Sequence, residues 1–320
     1  MTVEKLKKEP VLSLVICVFN EEENIKPLLS KIYETLQQYN FEVIFVDDGS
    51  KDDTVKMIKS VYKKEIILVE LKKNYGQSAA LAAGIEQAKG KYIATLDGDL
   101  QNDPIDIPMM IEKLEKEDLD LVAGARKKRK DNILFRKIPS KIANFIIRKL
   151  TKVNIKDYGC TLKVFRKPIA KNLGLYGELH RFIPILASLD GADIGQMDVH
   201  HHPRKFGKSK YGMGRTFRVI SDLMLMVFLK KYFQKPIHLF GGIGITLFIA
   251  GSIISLYFLY LKFLGQDIWG KPLLLLSVIF ILAGIQLITM GIISELLIRI
   301  YFEAQRKKTY TIKRISIGKN

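Results

Sequence analysis

Short apolar segments alternate with amphipathic segments over the first part of the chain. Three apolar runs have the length of buried strands and cover residues 11–19, 41–46 and 92–96. Apolar residues at three- and four-residue spacing, typical of helices, cover 23–38, 54–60, 76–88 and 105–116. Strands that alternate with helices in this way predict an α/β fold with a doubly wound, mostly parallel sheet.

Each of the three apolar runs ends in polar and acidic residues. They are followed by Asn20-Glu21, by Asp47-Asp48 and by Asp97-Gly98-Asp99. The carboxyl ends of parallel strands meet at one edge of an open sheet, where α/β proteins bind ligands. Two carboxylates separated by a glycine suit Mg²⁺ or Mn²⁺, which often share their ligands with substrate phosphates. No GxGxxG or Walker-type loop occurs, which disfavours dinucleotide-binding and P-loop proteins.

Further motifs extend this pattern along nearly the whole chain. In order, they are Val18-Phe19-Asn20-Glu21, Val46-Asp47-Asp48-Gly49-Ser50, Asn74-Tyr75-Gly76-Gln77, Asp97 to Pro104, Asp157-Tyr158-Gly159-Cys160, Gly177 to Phe182 and Arg204 to Lys210. In these motifs the chain resembles the family 2 glycosyltransferases, which have a GT-A fold. Within that family it resembles the polyprenyl-phosphate glycosyltransferases, which include dolichol-phosphate mannose synthases and bactoprenol glucosyltransferases. The resemblance implies inverting, metal-dependent transfer of a hexose from a nucleotide diphosphate sugar to a lipid phosphate.

The same resemblance implies roles for the motif residues. Asp97 and Asp99 would bind Mg²⁺ or Mn²⁺, and Gln101 would contribute to the same site. Asp47 would contact the nucleobase, and Asp48 would approach the ribose or the metal. The implied donor-binding residues are Phe19, Asn20, Glu21, Asp47, Asp48, Gly76, Asp97, Gly98, Glu178 and His180. Asp157 is sometimes the base in this family, but we expect it mainly to hold the sugar or a loop.

The acceptor determines how much acid–base chemistry is needed. A phosphate monoester has a second pKa near 6, so at neutral pH it is mostly a dianion and already a nucleophile. It needs positioning against repulsion from the donor diphosphate, which cationic side chains provide. The candidates for this role are Arg126, Arg136, Arg204, Lys205 and Lys208.

Structural roles remain open for several motif residues. Asp48-Gly49-Ser50 also suits a turn, with Asp52 or Asp53 as a helix cap, and Gln101 could cap the helix that follows Pro104. Asn74 and Gln77 suit capping equally well, and a lone histidine such as His180 is more often structural. The run of histidines at 200–202 predicts a surface strand, because adjacent strand residues point to opposite faces.

The composition predicts that the protein is embedded in a membrane. The chain has 320 residues, a formal charge of +18 and 48% hydrophobic residues. Residues 239–261 and 273–294 contain no charged side chain, and each segment is long enough to span a bilayer. Lysines and arginines precede the first span and follow the second, so the catalytic domain and the C-terminal tail are predicted to be cytoplasmic. Two cysteines, Cys17 and Cys160, fit a reducing compartment.

These patterns predict four regions. A GT-A domain would cover 1–215, a juxtamembrane amphipathic helix 216–236, a transmembrane hairpin 237–299 and a basic tail 300–320. A second basic amphipathic stretch, at 133–150, is predicted to lie at the membrane interface or against the domain core. We also expect a homo-oligomer, such as a tetramer.

Competing functions differ in how well the sequence supports them. Nucleic-acid binding is disfavoured because no nucleic-acid fold motif accompanies the basic residues. Processive polysaccharide synthases carry a Gln-x-x-Arg-Trp motif, whereas the only tryptophan here is Trp269, between the two spans. UDP-glucose and undecaprenyl phosphate are the expected substrates in a bacterial plasma membrane. One alternative is a dolichol- or polyprenyl-phosphate mannose synthase that uses GDP-mannose. The other is a non-catalytic binding protein anchored in the membrane.

Overall fold

The computed structural model describes residues 9–126, 155–204, 228 and 236–304. The chain divides into two compact units, Met1–Met226 and Val227–Asn320. The amphipathic stretch predicted at 133–150 lies outside the described residues, as does nearly all of 216–236 and of the tail. The four predicted region boundaries therefore stay predictions.

The first unit contains seven strands and six α-helices among its described residues. The strands are β1 (Leu12–Val18), β2 (Phe41–Asp47), β3 (Ile66–Glu70), β4 (Tyr92–Asp97), β5 (Leu121–Arg126), β6 (Lys163–Arg166) and β7 (Ile194–Val199). The helices are α1 (Glu22–Thr35), α2 (Thr54–Ser60), α3 (Gln77–Gln87), α4 (Asp106–Lys116), α5 (Lys167–Asn172) and α6 (Ile183–Leu189). A 3₁₀ turn, Leu179–Phe182, precedes α6.

The strands form one sheet in the order β3-β2-β1-β4-β6-β5-β7. All neighbours are parallel except β6, which runs antiparallel to both β4 and β5. The register pairs Val18 of β1 with Asp47, and Cys17 of β1 with Asp97. Asp47 and Asp97 therefore end the two strands that flank β1, at one edge of the sheet, as the sequence predicted.

The sheet is covered on both faces because its central strands are apolar at nearly every position. Alternate residues face opposite ways, so Leu14 and Ile16 pack in one hydrophobic cluster while Val15 packs in the other. The first cluster includes the buried stripe of α1, and the second includes that of α3. Helices on both faces confirm the predicted doubly wound, mostly parallel α/β architecture.

The second unit contains two long apolar helices, α7 (Pro236–Phe263) and α8 (Pro272–Ala304). Both are long and apolar enough to cross a membrane, and most of their side chains are exposed. Glycines allow the two helices to approach closely. A Cβ atom added at Gly251 would lie 2.7 Å from the Ser277 carbonyl oxygen. The Ser255 hydroxyl donates to the Ser277 Oγ at 3.0 Å across the same interface.

Candidate active site

Two acidic side chains occupy the carboxyl edge of the sheet after β4. Asp97 Oδ1 accepts a hydrogen bond from the Gln77 amide at 2.7 Å. Asp99 accepts one from Arg204 Nη2 at 2.7 Å and one from the Gln101 backbone N–H at 3.1 Å. The turn between the acids packs tightly on β1, since a Cβ atom added at Gly98 would lie 2.6 Å from a methyl of Val18. Glycine therefore fits this turn without displacing Val18.

The electrostatics of this acidic pair suit a cation. Burial and the neighbouring Asp99 carboxylate raise the pKa of Asp97 to about 7. Among the described residues, no three His, Cys, Asp or Glu side chains group together as a metal site. A cation held by Asp97 and Asp99 would therefore need further ligands from substrate or water, as Mg²⁺ commonly does. The Arg204 guanidinium supplies a positive charge at Asp99 in this structure.

A buried lysine lies behind the acidic pair. Lys163, in β6, is almost fully buried, and its Nζ donates to the carbonyl oxygen of Cys160. Burial lowers its pKa, while the nearby acids Asp157 and Asp97 act in the opposite direction. Lys163 was not predictable as a site residue, because a lysine in a short strand carries no sequence signal of burial.

Asp47, the last residue of β2, and Asp48 accept hydrogen bonds from backbone N–H groups. Asp47 accepts a hydrogen bond from the Ser50 N–H at 3.1 Å. The Asp48 carboxylate accepts from the backbone N–H groups of Tyr75 and Gly76, at 2.7 and 2.9 Å. Asp48 thus fixes the start of α3. Its approach to the ribose or the metal stays a prediction, and it is compatible with the turn that Asp47 and Ser50 form.

Asp52 is the acid that supports the start of α2. Its Oδ1 accepts hydrogen bonds from both the backbone N–H and the hydroxyl of Thr54, at 3.0 and 2.6 Å. Of the two capping candidates, Asp52 and Asp53, only Asp52 makes such a bond at the first turn.

Asn20 and Glu21 join the loop after β1 to the loop after β2. The Asn20 N–H donates to the Ser50 hydroxyl, and its side-chain oxygen accepts from the Lys51 N–H, both at 2.8 Å. Glu21 is buried and accepts from Asn24 at 2.6 Å, and Arg204 Nη1 lies 3.9 Å from its carboxylate. Phe19 directly precedes this junction. These bonds hold the two loops together along the edge where the strands end.

Gly76 and Gln77 begin α3 beside the acidic pair. Gly76 has φ +94°, a left-handed conformation that disfavours other residues, and there is open space where a Cβ would lie. Neither residue makes a side-chain cap at this helix start. Gln77 instead reaches Asp97, a contact between residues 20 positions apart that capping statistics do not foresee.

Arg126 and Asp157 form a two-pronged ion pair. Arg126 Nε and Nη2 donate to the two carboxylate oxygens of Asp157, at 2.6 and 2.8 Å. The side chains are 13% and 14% exposed. Both carboxylate oxygens of Asp157 are thus engaged by one guanidinium, which fixes the carboxylate in place. The geometry supports the expectation that Asp157 holds a loop.

The segment 178–181 contacts the start of α3. His180 is buried; its ring Nδ1 lies 3.0 Å from the Ser78 hydroxyl, which also accepts a hydrogen bond from the His180 N–H at 3.0 Å. Glu178 pairs with Arg181 at 2.9 Å. His180 is thus held against Ser78 and Glu178 has an ionic partner, while their predicted contacts with the donor sugar stay predictions.

The histidines after β7 lie along the loop that follows the acidic pair. The His202 N–H donates to the Gln101 carbonyl at 2.8 Å. The rings of His200 and His202 lie 2.7 Å from carboxylate oxygens of Asp106 and Asp103, respectively. The predicted surface strand at 200–202 is wrong, because β7 ends at Val199 and His201 makes only an isolated bridge, with Asn102. The side-chain contacts of the histidines instead hold this segment so that Arg204 reaches Asp99. At the start of α4, Asp103, and not Gln101, accepts from the Ile105 N–H.

Two of the five predicted acceptor-binding cations lie among the described residues. Arg126 and Arg204 are described, and each contacts a carboxylate of the site. Arg136, Lys205 and Lys208 lie outside the described residues. The structure thus brings Asp97, Asp99 and Arg204 together and leaves the other three cations as predictions.

Known proteins are similar to this chain in both sequence and fold. Residues 13–174 match the family described as Glycosyl transferase family 2. The chain is 44% identical to the dodecaprenyl-phosphate galacturonate synthase of Rhizobium johnstonii, over 98% of this chain and 97% of that protein. It is 33% identical to the undecaprenyl-phosphate 4-deoxy-4-formamido-L-arabinose transferase of Proteus mirabilis, over 98% of this chain and 95% of that protein.

Solved structures agree on the fold. Glucosyl-3-phosphoglycerate synthase from Mycobacterium tuberculosis, in complex with Mn²⁺, UDP and phosphoglyceric acid, superposes with a TM-score of 0.56. The match covers 68% of this chain and 78% of that chain at 17% identity. At this identity the likeness concerns the fold alone, and it supports the predicted α/β class.

Proposed function

The chain belongs to glycosyl transferase family 2, and from this membership we propose that it transfers a sugar from a nucleotide diphosphate sugar to a polyprenyl phosphate. The observation that carries the proposal is the acidic pair Asp97 and Asp99 at the carboxyl edge, with Arg204 on Asp99. Relatives named for polyprenyl-phosphate sugar transfer match over 98% of this chain, including its two long apolar helices.

The donor diphosphate would bind at the acidic pair. Asp97 and Asp99 would hold Mg²⁺ or Mn²⁺ there, and the ion would neutralise charge on the departing nucleoside diphosphate. Supporting this, the two acids are close and buried enough to raise the pKa of Asp97. Asn20, Glu21 and Asp47 border the same edge, where the base and ribose would contact the loops after β1 and β2.

The chemical step needs little from a protein base. An oxygen of the acceptor phosphate forms a bond to the anomeric carbon while that carbon's bond to the donor β-phosphate breaks, with inversion. The leaving diphosphate takes the electron pair, and no proton leaves the dianionic acceptor. Arg204 would position the acceptor phosphate, and Arg126 would hold Asp157 so that its loop borders the site.

The membrane provides the lipid acceptor. Both α7 and α8 are long and apolar enough to span it. Lysines and arginines flank the pair on the side opposite the connecting turn, which favours a cytoplasmic catalytic unit. The homo-oligomer expected from the sequence stays a prediction.

The donor sugar is the least constrained part of the proposal. UDP-glucose was the expectation from the sequence, and GDP-mannose the alternative. The relative at 44% identity is named for galacturonate and the one at 33% for a formamido-arabinose. We therefore place a UDP-linked uronate beside UDP-glucose as a candidate donor.

A transfer assay tests the proposal. The purified full-length protein in detergent, with Mn²⁺ or Mg²⁺, would be given undecaprenyl phosphate and radiolabelled UDP-galacturonate, UDP-glucose or GDP-mannose. We expect metal-dependent glycolipid from one donor, and a loss of about 10²-fold or more for Asp99→Asn. Asp53→Asn removes the same charge from an exposed acid and should leave the rate unchanged. A folded protein that forms no glycolipid from any donor would refute the proposal.

A further inference from the structure

Arg181 carries a buried polar group without a partner. Its side chain is 12% exposed, and its Nη2 lies 2.9 Å from a carboxylate oxygen of Glu178. Its Nη1 is buried and has no hydrogen-bond partner among the described residues. Buried N–H groups are nearly always hydrogen-bonded, because desolvating one without a partner is unfavourable. A ligand atom that accepts a hydrogen bond would satisfy Nη1.

Two successive contacts link Arg181 to the acidic pair. The residue before it, His180, is held by the Ser78 hydroxyl through both its ring and its backbone. Ser78 follows Gln77, whose side-chain amide donates to Asp97. The segment that carries Arg181 is thus fixed to the same helix start that contacts the acidic pair. In the proposed function, the sugar attached to the donor diphosphate would lie next to that pair.

The charge of Arg181 defines which sugar group would match it. A guanidinium presents five N–H donors in a planar fork and has no acceptor. Glu178 accepts from one of these groups, Nη2, and is itself 38% exposed. A second carboxylate is the group that best complements the remaining donors, since paired N–H···O bonds to a carboxylate are strong and directional.

We propose that Arg181 recognises a carboxylate on the transferred sugar, so that the enzyme prefers a uronate over the corresponding neutral hexose. This inference rests on the proposed sugar-transfer function and names its donor class. With a uronate bound, Nη1 gains an acceptor and the sugar carboxylate a partner. With a neutral hexose, a hydroxyl takes the place of the carboxylate, and the pairing with Nη1 is weaker. Sites built around a buried polar group reject analogues that leave it unmatched.

A matched pair of donors tests the inference. UDP-galacturonate and UDP-galactose differ only in a carboxylate or a hydroxymethyl group at C5 of the sugar. We expect the full-length protein, with undecaprenyl phosphate and Mn²⁺, to have the higher kcat/KM for UDP-galacturonate. Arg181→Gln should lower kcat/KM for UDP-galacturonate by about 10- to 100-fold, the range for one charge-assisted hydrogen bond. It should change kcat/KM for UDP-galactose by less than about threefold, and Arg181→Lys should restore part of the loss.

Controls separate recognition from damage to the fold. Arg166→Gln removes a guanidinium that contacts the Leu119 carbonyl and Asp118, away from the acidic pair, and should leave the donor preference unchanged. Arg181→Gln should bind UDP as tightly as the native protein in calorimetry, because UDP lacks the transferred sugar that Arg181 would contact. Loss of UDP binding, or an equal fall with both donors, would make Arg181 structural and overturn the inference.

The outcomes also distinguish this inference from the proposed function. Glycolipid formation with only a neutral hexose or a formamido-sugar would refute uronate recognition while the sugar-transfer function stands. Absence of glycolipid with every donor would refute the function itself, and the inference with it.

Discussion

Removing the Arg126–Asp157 ion pair tests whether Asp157 acts as a base or as a support. Its two hydrogen bonds measure 2.6 and 2.8 Å, and the side chains are 13% and 14% exposed. A charge-assisted hydrogen bond contributes about 1.5–3 kcal/mol, and residual solvent contact reduces this. We expect a coupling energy of about 2 kcal/mol between the two residues.

The perturbation is the pair of single variants, Arg126→Gln and Asp157→Asn, and their double variant. Each single change leaves a charge without its partner, so each should lower the thermal midpoint of the purified protein by about 4–8 °C. The double variant should be no less stable than either single one. In the transfer assay, kcat should fall by less than about 10²-fold for both, because a dianionic acceptor needs no proton removed.

One result would refute this reasoning. If Asp157→Asn lowered kcat by about 10³-fold or more with normal KM values and normal stability, Asp157 would be a catalytic base. Arg126→Gln serves as the matched control, since it removes the support while keeping the carboxylate. Equal effects of the two variants would favour support, and a large effect of Asp157→Asn alone would favour the base.

Three further outcomes follow from the same geometry. Arg204→Gln removes the cation from Asp99 and should tighten Mn²⁺ binding in calorimetry by about 5- to 30-fold while slowing transfer; weaker binding would contradict this. The pKa of Asp97 is raised to about 7, so below that pH protons compete with the metal for its carboxylate. The Mn²⁺ affinity should therefore fall about tenfold for each pH unit below 7. In Asp97→Asn the Mn²⁺ affinity should no longer depend on pH in this range. Gly251→Val should lower the thermal midpoint of α7 and α8 in detergent, whereas Gly242→Val, with open space around it, should not.

The position of the acidic edge was predictable because strand ends are encoded locally. The apolar runs at 41–46 and 92–96 predicted β2 and β4 to within one residue, and Asp47 and Asp97 close those strands. Parallel pairing then requires both acids to lie at one edge, whatever the details of the loops. The family resemblance, which the match over residues 13–174 confirms, rests on these same local motifs.

The partners of the site residues were not predictable in the same way. Asp48 bonds to Tyr75 and Gly76, more than 25 positions along the chain, and Arg204 reaches Asp99 across 105 positions. Such contacts depend on how loops from different strands fold over the edge, which hydrophobic spacing does not encode. Asp48 illustrates the limit, because nothing in the sequence around it shows that its carboxylate accepts from the start of α3.

Arg126 and Arg204, the two acceptor-binding candidates that the structure describes, show why charge alone could not assign roles. From the sequence, Arg126 and Arg204 were equal candidates for the acceptor phosphate. In the structure, the Arg126 guanidinium makes two hydrogen bonds to one carboxylate of a loop, so its loss should act first on stability. Arg204 instead bonds to Asp99, a predicted metal ligand, and lies 3.9 Å from Glu21, so its loss should act first on the metal and the phosphates. Identical guanidinium groups are therefore expected to differ in function because of the carboxylates that the fold places beside them.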